Sequence, residues 1–160
     1  MRVVILGCGR VGSTLAAVLT REGHHVSVID RDQSAFDKAA QRLGPSFTQE
    51  TVRGIGIDED VLRQAGIEEA DAFVSVTSGD NTNIVAAQIA QQRFHVPQVL
   101  ARVYDPIRAE AYREAGVKTI CTTAISTGLF HDLVLGRQLR GIQEYLDTTR
   151  SQPDAQEKAG

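Results

Sequence analysis

Short apolar runs alternate with amphipathic segments along almost the whole chain. The runs predict strands at 2–6, 25–30, 46–50, 71–76, 98–103 and 118–121. The segments between and after them carry apolar residues at helical spacing and predict helices at 12–22, 34–43, 58–65, 81–94, 106–115 and 126–146. Strands that alternate with helices form a parallel sheet, so we predict an α/β fold with a doubly wound six-stranded sheet in the order 3-2-1-4-5-6.

The last predicted helix carries two apolar stripes. Its first half holds Ile125, Leu129, Phe130, Leu133 and Val134, and its second half holds Leu135, Leu139, Ile142 and Leu146. On one helix these stripes point about 160° apart. We expect the first to cover the domain's own sheet and the second to pack on another subunit or a missing domain. The alternative is a long terminal helix that is simply rich in apolar residues. The polar segment 148–160 is predicted to be disordered, which leaves a domain over 1–147.

The first predicted strand ends in Gly7-Cys8-Gly9-Arg10-Val11-Gly12, a G-x-G-x-x-G spacing. Gly7 permits a tight turn, Gly9 lets the backbone approach a pyrophosphate, and Gly12 lets helix and strand pack closely. Asp30 ends the second strand, about 20 residues further on, where a carboxylate accepts both hydroxyls of a ribose. This arrangement predicts a Rossmann nucleotide site between the first and fourth strands. The alternative is a glycine-rich turn without a ligand.

Composition narrows the classes of function. A chain of 160 residues, 42% hydrophobic and 23% charged, suits one soluble domain. A net charge of −3 favours neither nucleic acid nor an anionic membrane. Cys8 and Cys121 lack the spacing of a disulfide or metal site, which suits a reducing cytosol. No apolar run approaches the roughly 20 residues of a membrane-spanning helix. The chain enters its first strand at once, so we expect no signal peptide.

Motifs in six successive strand–helix units resemble those of a known family. They lie at 7–12, 23–30, 58–71, 73–77, 80–83, 101–103, 105–106 and 114–117. These segments resemble the N-terminal domain of regulators of potassium conductance, the RCK N-terminal (Trk/Ktr or TrkA-N) family, from about residue 1 to 135. The resemblance implies a cytosolic regulatory subunit that binds NAD(H), ADP or ATP. It also implies a homo-oligomer, a dimer or a multiple of one, that gates a membrane-embedded potassium transporter at the inner face of the membrane.

The resemblance also assigns roles to individual residues. The three glycines would form the phosphate loop, Arg10 would reach a phosphate of its own or a neighbouring subunit, and Asp30 would bind the adenosine ribose. Thr77 and the loop at 80–83 would lie beside the nucleotide, and Arg102 would be a second phosphate contact. The alternative for Arg10 is a solvated loop arginine, and that for Arg102 is a surface charge at a strand end. The full predicted set is Gly7, Gly9, Arg10, Val11, Gly12, Asp30, Arg31, Thr77, Asp80, Asn83 and Arg102.

Three features depart from the family pattern. Where the family has a Gly-Asp-Ala-Thr-type segment beside the adenine, this chain has Gly54-Ile55-Gly56-Ile57, without the polar groups that would read the base edge. Where many members carry Pro-Glu after the sixth strand, this chain has Thr122-Thr123-Ala124, so we predict no cation or metal site there. Many members continue into a second ligand-binding domain, which we expect to be absent here, either naturally or because the chain is a fragment.

Two other functions remain as alternatives. The chain could be the Rossmann half of an NAD-dependent oxidoreductase. No substrate domain follows, however, and no Lys or His stands where hydride transfer needs an acid or base, so we predict no catalytic residue and no enzyme. A redox-sensing repressor that uses Cys8 at a helix N-terminus is the weaker alternative, because a helix-turn-helix unit and a basic patch are lacking. Asp30 argues against NADP because it repels a 2′-phosphate, although Arg31 beside it softens that repulsion.

Overall fold

A computed structural model describes residues 1–147, so the tail predicted to be disordered lies outside the described residues. The strands are β1 (Arg2–Leu6), β2 (His25–Asp30), β3 (Glu50–Arg53), β4 (Ala72–Ser75), β5 (Gln98–Val103) and β6 (Thr119–Cys121). The helices are α1 (Arg10–Arg21), α2 (Gln33–Leu43), α3 (Glu59–Gln64), α4 (Asp80–Gln92), α5 (Pro106–Glu114), α6 (Thr122–Val134) and α7 (Ile142–Asp147). In the part of the chain described, no helix is both long enough and apolar enough to cross a bilayer.

The six strands form one parallel sheet in the order β3-β2-β1-β4-β5-β6, which confirms the predicted fold and strand order. Successive side chains of a strand point to opposite faces, and β1 is apolar on both. Ile5 packs in the cluster that contains Phe36 of α2, and Leu6 packs in the cluster that contains Leu62 of α3. Because helices cover both faces, β1 lies at the centre of the domain and its C-terminal end meets the β1–β4 switch point.

The third strand lies several residues later than the sequence predicts. The prediction was 46–50, whereas β3 covers Glu50–Arg53 and a short 3₁₀ turn occupies Gly44–Ser46. Pro45 fits that turn because its fixed φ suits a helical start. β3 is an edge strand in which only Val52 is buried, so its alternation of polar and apolar residues gives almost no signal.

The last predicted helix is two helices, because Gly136 interrupts it. Gly136 has φ +64°, a left-handed conformation that glycine adopts without steric cost and that ends a helix. The N–H groups of Gly136 and Arg137 donate to the carbonyls of Leu133 and Asp132, which completes the helix end. The chain then turns back, and α7 packs against α6.

A buried carboxylate holds this turn. Asp132 accepts hydrogen bonds from Arg140 Nε at 2.8 Å and from the Tyr145 hydroxyl at 3.1 Å. The Arg140 guanidinium beside it lowers the pKa of Asp132 to about 2. Gly128 makes room for the ring of Tyr145, since a Cβ there would lie 2.4 Å from Tyr145 Cδ1. The side chains of Tyr145 and its neighbour Leu146 are therefore buried.

The predicted division of the two apolar stripes is partly wrong. Leu146, expected to face away, packs with the domain's own core beside Val103 and Cys121. In the stripe expected to cover the sheet, Ile125 does pack on that core, but Phe130, Leu133 and Val134 are exposed. The helix break at Gly136 and the return of α7 account for both differences. The exposed apolar side chains of this region, which we call the α6 apolar surface, are Phe130, Leu133, Val134, Leu135, Leu139 and Ile142.

Candidate functional site

The loop between β1 and α1 is shaped by three glycines with different surroundings. Gly7 has φ +107°, and its N–H donates to the carbonyl of Ile29 at 2.7 Å. A Cβ at Gly12 would lie 1.9 Å from the carbonyl oxygen of Gly7, so only glycine lets α1 approach β1 this closely. Gly9 is exposed, and a Cβ there would meet no atom within 4 Å. Gly7 and Gly12 thus serve packing, whereas Gly9 faces open space.

The start of α1 presents free hydrogen-bond donors to that space. The first residues of a helix have no carbonyl one turn earlier to accept their N–H groups. Among the described residues, no acceptor is bonded to the N–H of Arg10, Val11 or Gly12, and the first helical bond runs from Ser13 N–H to Gly9 at 3.0 Å. Free N–H groups and the positive end of the helix dipole favour an anion such as a phosphate.

Asp30 lies at the C-terminal end of β2, beside this loop. Its Oδ2 accepts the N–H of Cys8 at 2.7 Å and its Oδ1 accepts the N–H of Asp32 at 3.0 Å. Each carboxylate oxygen has two acceptor positions, so one on each oxygen remains available. The two backbone bonds fix the carboxylate next to the glycine loop.

Arg10 and Val11 lie in the loop, Arg31 directly follows Asp30, and all three are exposed. In the described part of the chain, neither Arg10 nor Arg31 makes a side-chain hydrogen bond or an ion pair. The glycine loop at 7–12, with Asp30 and Arg31, is called the glycine-loop side below. It combines unused backbone donors, unused acceptor positions on Asp30 and two unpaired cations.

The predicted residues after β4 behave differently. Asn83 is fully buried and uses all its hydrogen-bonding groups. Its Oδ1 accepts from Thr77 N–H at 2.8 Å and from Thr77 Oγ1 at 2.7 Å, and its Nδ2 donates to the carbonyls of Thr77 at 2.9 Å and Arg102 at 3.0 Å. In this arrangement Asn83 holds the loop and offers no group to a ligand.

Arg102 and Asp80 complete that arrangement. One guanidinium nitrogen of Arg102 donates to the carbonyls of Val76 at 2.7 Å and Thr77 at 2.8 Å, and the group stacks 4.6 Å from the ring centre of Tyr104. Arg102 is therefore not a solvated surface charge, although its buried Nε has no partner in the described residues. Asp80 accepts the N–H of Tyr104 at 2.9 Å. The set Thr77, Asp80, Asn83 and Arg102 is called the β4 side below.

Sequence reasoning missed two residues that support the glycine loop, Ser13 and Arg42. The Ser13 hydroxyl donates to the Gly9 carbonyl at 2.6 Å and accepts a hydrogen bond from the guanidinium of Arg42. Arg42 lies at the end of α2, far from the glycine motif in sequence, so no local pattern indicates the contact. Cys8 in the loop is buried, and burial is the main cause that raises the pKa of its thiol to about 11, with the charge of Asp30 adding to it. The thiol is therefore protonated at neutral pH, which argues against redox sensing.

Across residues 1–147, no three side chains of His, Cys, Asp or Glu come together in a way that would hold a metal ion.

Comparison with known proteins adds sequence relatives. The TrkA-N domain family matches residues 3–123. The chain is 56% identical over 122 residues to the Trk system potassium uptake protein TrkA of Streptomyces coelicolor. This match covers 76% of this chain and 53% of that protein. It is 42% identical over 112 residues to the Trk system potassium uptake protein TrkA of Halomonas elongata. This second match covers 70% of this chain and 23% of that protein. The chain thus spans about half or less of the length of these relatives.

Solved structures share the fold at lower identity. The Shewanella denitrificans Kef CTD in its AMP-bound form has a TM-score of 0.68 and 21% identity, covering 94% of this chain and 91% of that one. GsuK bound to ADP has a TM-score of 0.70 and 23% identity, and the match covers 86% of this chain and 34% of that one.

Proposed function

The chain belongs to the TrkA-N domain family, and we propose that it is a nucleotide-binding regulatory domain of a potassium transport system. The observation that carries the proposal is the glycine-loop side, where open space at Gly9 adjoins free N–H donors and a fixed Asp30 carboxylate. The relatives named as potassium uptake proteins support the transport role.

The proposed ligand is an adenine nucleotide: NAD(H), ADP or ATP. The phosphates would lie over Gly9 at the start of α1, and the ribose hydroxyls would donate to Asp30. Arg10 and Arg31 are the nearby unpaired cations for further phosphate contacts. Thr77, Asp80, Asn83 and Arg102 would border the nucleotide on the other side, with Asn83 and Arg102 acting through the loop that they hold. The AMP-bound Kef CTD and ADP-bound GsuK, which share this fold, are consistent with this class.

The experiment for the ligand is direct. Mass spectrometry after denaturation of the purified protein should detect a bound adenine nucleotide, or titration calorimetry should measure binding of NADH, ATP, ADP or AMP. The proposal fails if none of the four binds at millimolar concentration.

The proposed mode of action is a shift between two arrangements of paired subunits at the cytoplasmic face of the membrane. A nucleotide that favours one arrangement would bias a membrane-embedded potassium transporter through it. The α6 apolar surface supports pairing, since each leucine or isoleucine that becomes covered contributes about 1.5–3 kcal/mol. We expect a dimer or a multiple of dimers, and no role for nucleic acid at a net charge of −3.

Light scattering tests the pairing. Val134→Asp is the disrupting variant, because Val134 is 82% exposed in the α6 apolar surface. Ile55→Asp, assayed without nucleotide, is the control, because Ile55 is 61% exposed and follows β3, at the opposite edge of the sheet from β6 and α6. The first should give a monomer and the second should stay assembled. A wild-type protein of 17.3 kDa in solution contradicts the proposal.

We propose that the domain is not an enzyme, so bound NADH would act as a signal. The alternative, the Rossmann half of an oxidoreductase, predicts turnover. The absorbance of NADH should stay constant with simple aldehydes, ketones and acids. Steady oxidation that Asp30→Ala abolishes would favour the enzyme.

A further inference from the structure

The segment that follows β3 folds over the C-terminal ends of β1 and β2. The N–H of Gly54 donates to the carbonyl of Asp30 at 3.0 Å, which places the segment beside the ribose position. Gly56 lies against Leu6, since a Cβ there would be 2.1 Å from Leu6 Cδ1, and Leu6 directly precedes the glycine loop. Both glycines are thus pinned against the ends of the two strands that build the glycine-loop side.

The two side chains between and after these glycines are apolar and exposed. Ile55 is 61% exposed and Ile57 is 43% exposed. The turn that carries them is fixed, because the N–H of Asp58 donates to the Ile55 carbonyl at 2.9 Å. Both isoleucines lie in one fixed turn beside the glycine-loop side. Neither side chain can donate or accept a hydrogen bond.

The arginines next to this turn give adenine no advantage over guanine. The nearby Asp58 carboxylate caps α3 through its Oδ1, which accepts the N–H of Asp60 at 2.9 Å. Arg31 and Arg53 are exposed, and Arg53 pairs with Asp30 in the sheet register. A guanidinium only donates hydrogen bonds. Adenine and guanine both carry an acceptor at N7, and guanine carries a second at O6. Neither arginine can therefore select the amino group that distinguishes adenine.

We propose that Ile55 and Ile57 form an apolar wall for the base, so that the site takes purine nucleotides without reading the edge of the purine. This inference rests on the proposed nucleotide-binding function and extends it to the ligand class. Apolar surfaces discriminate by contact area, whereas sites that hydrogen-bond a polar group reject analogues that lack it far more strongly. Guanine and hypoxanthine nucleotides should therefore compete with adenine nucleotides, and smaller pyrimidines should bind more weakly.

The test is titration calorimetry of the full chain with ADP, GDP, IDP and UDP. We expect ADP, GDP and IDP to agree within about fivefold and UDP to bind more weakly, because only contact area differs. An ADP preference of about 100-fold or more over GDP overturns the proposal, since it requires a hydrogen bond that reads the base. If GDP and IDP fail while ADP binds, only this inference falls. If ADP itself fails to bind, the proposed function falls with it.

Variants assign the effect to the two side chains. Ile55→Ser and Ile57→Ser should each weaken ADP and GDP by the same factor, about 3- to 20-fold, through loss of apolar contact. Ile107→Ser is the control, because α5 follows β5, four strand spacings or about 19 Å from β3. The control should bind as the parent does. Unchanged ADP affinity in both Ile55→Ser and Ile57→Ser contradicts the wall.

Discussion

The two sides of the β1–β4 switch point differ in how their polar groups are used. On the glycine-loop side, donors at the start of α1 and acceptor positions on Asp30 are free. On the β4 side, Asn83 and Arg102 form their hydrogen bonds with the protein's own loop. The difference suggests a division of labour, in which one side binds the ligand and the other holds the backbone that borders it. Substitutions on the two sides should therefore affect different measurements.

The largest expected effect is on stability, on the β4 side. Asn83→Ala removes four hydrogen bonds and leaves the N–H of Thr77 without its acceptor. The free energy of unfolding should fall by roughly 2–4 kcal/mol, because unsatisfied buried groups add to the lost bonds. Urea denaturation measures the loss. Asn81→Ala on the same helix is the control and should cost far less, because Asn81 is exposed. Equal losses in the two variants would show that the β4 side does not depend on Asn83.

The next effect is on affinity, on the glycine-loop side. Asp30→Ala should weaken every adenine nucleotide by about 10- to 1,000-fold, since hydrogen bonds to a charged group contribute about 1.5–3 kcal/mol each. Water that takes the place of the carboxylate sets where the loss falls in that range. Calorimetry with AMP, ADP, ATP and NADH measures it. Parent-like binding of all four by the variant would mean that the ligand site lies elsewhere.

Arg10 on the glycine-loop side and Arg102 on the β4 side should show the same contrast with smaller effects. Arg10→Ala should leave stability unchanged and weaken ATP more than AMP by about 3- to 10-fold, less at high salt, because Arg10 is an exposed charge. Arg102→Ala, in contrast, should lower the free energy of unfolding by about 1–3 kcal/mol, because two carbonyls lose their donor. Urea denaturation and calorimetry on both variants give the four values. If the Arg10 variant loses AMP and ATP equally, that side chain does not contact the terminal phosphates.

The smallest effect concerns Cys8, which lies in the glycine loop but is buried. Its pKa of about 11 keeps the thiol protonated at pH 7, and the thiolate forms only as the pH approaches that value. Iodoacetamide at pH 7.5 should label Cys8 slowly in the folded protein and rapidly in urea. Mild peroxide should leave nucleotide affinity unchanged. Rapid labelling of the native protein at pH 7.5 would restore the redox-sensing alternative.

Local patterns predicted the sheet well and its boundaries less well. The strand order follows from the alternation of apolar runs with helices, and the glycine spacing is readable because its residues are adjacent. The position of β3 was predicted wrongly because Val52 is its single buried residue. The last helix was misread because the left-handed turn at Gly136 and the pairing of Asp132 with Arg140 change the direction of the chain.

The candidate site divides in the same way. Asp30 could be predicted as a site residue from its position at the end of a strand, but its hydrogen bond from the Cys8 N–H was not predicted. The bonds from Arg102 to Val76 and Thr77 join β5 to the loop after β4, so the sequence indicates a charge near the site but not what that charge holds. The support of the glycine loop by Arg42 through Ser13 was missed for the same reason.

A pair of glycines tests the division most directly. Gly9 precedes α1 and Gly79 precedes α4 as N-caps, both at negative φ, and a Cβ at either meets nothing closer than 3.4 Å. Gly9→Ala and Gly79→Ala should each cost less than about 1 kcal/mol of stability, as alanine does at an N-cap. ADP affinity should fall about 10-fold or more in Gly9→Ala, because the methyl group occupies the phosphate approach, and should stay near the parent value in Gly79→Ala. Unchanged affinity in Gly9→Ala, or an equal loss in both variants, would contradict the account.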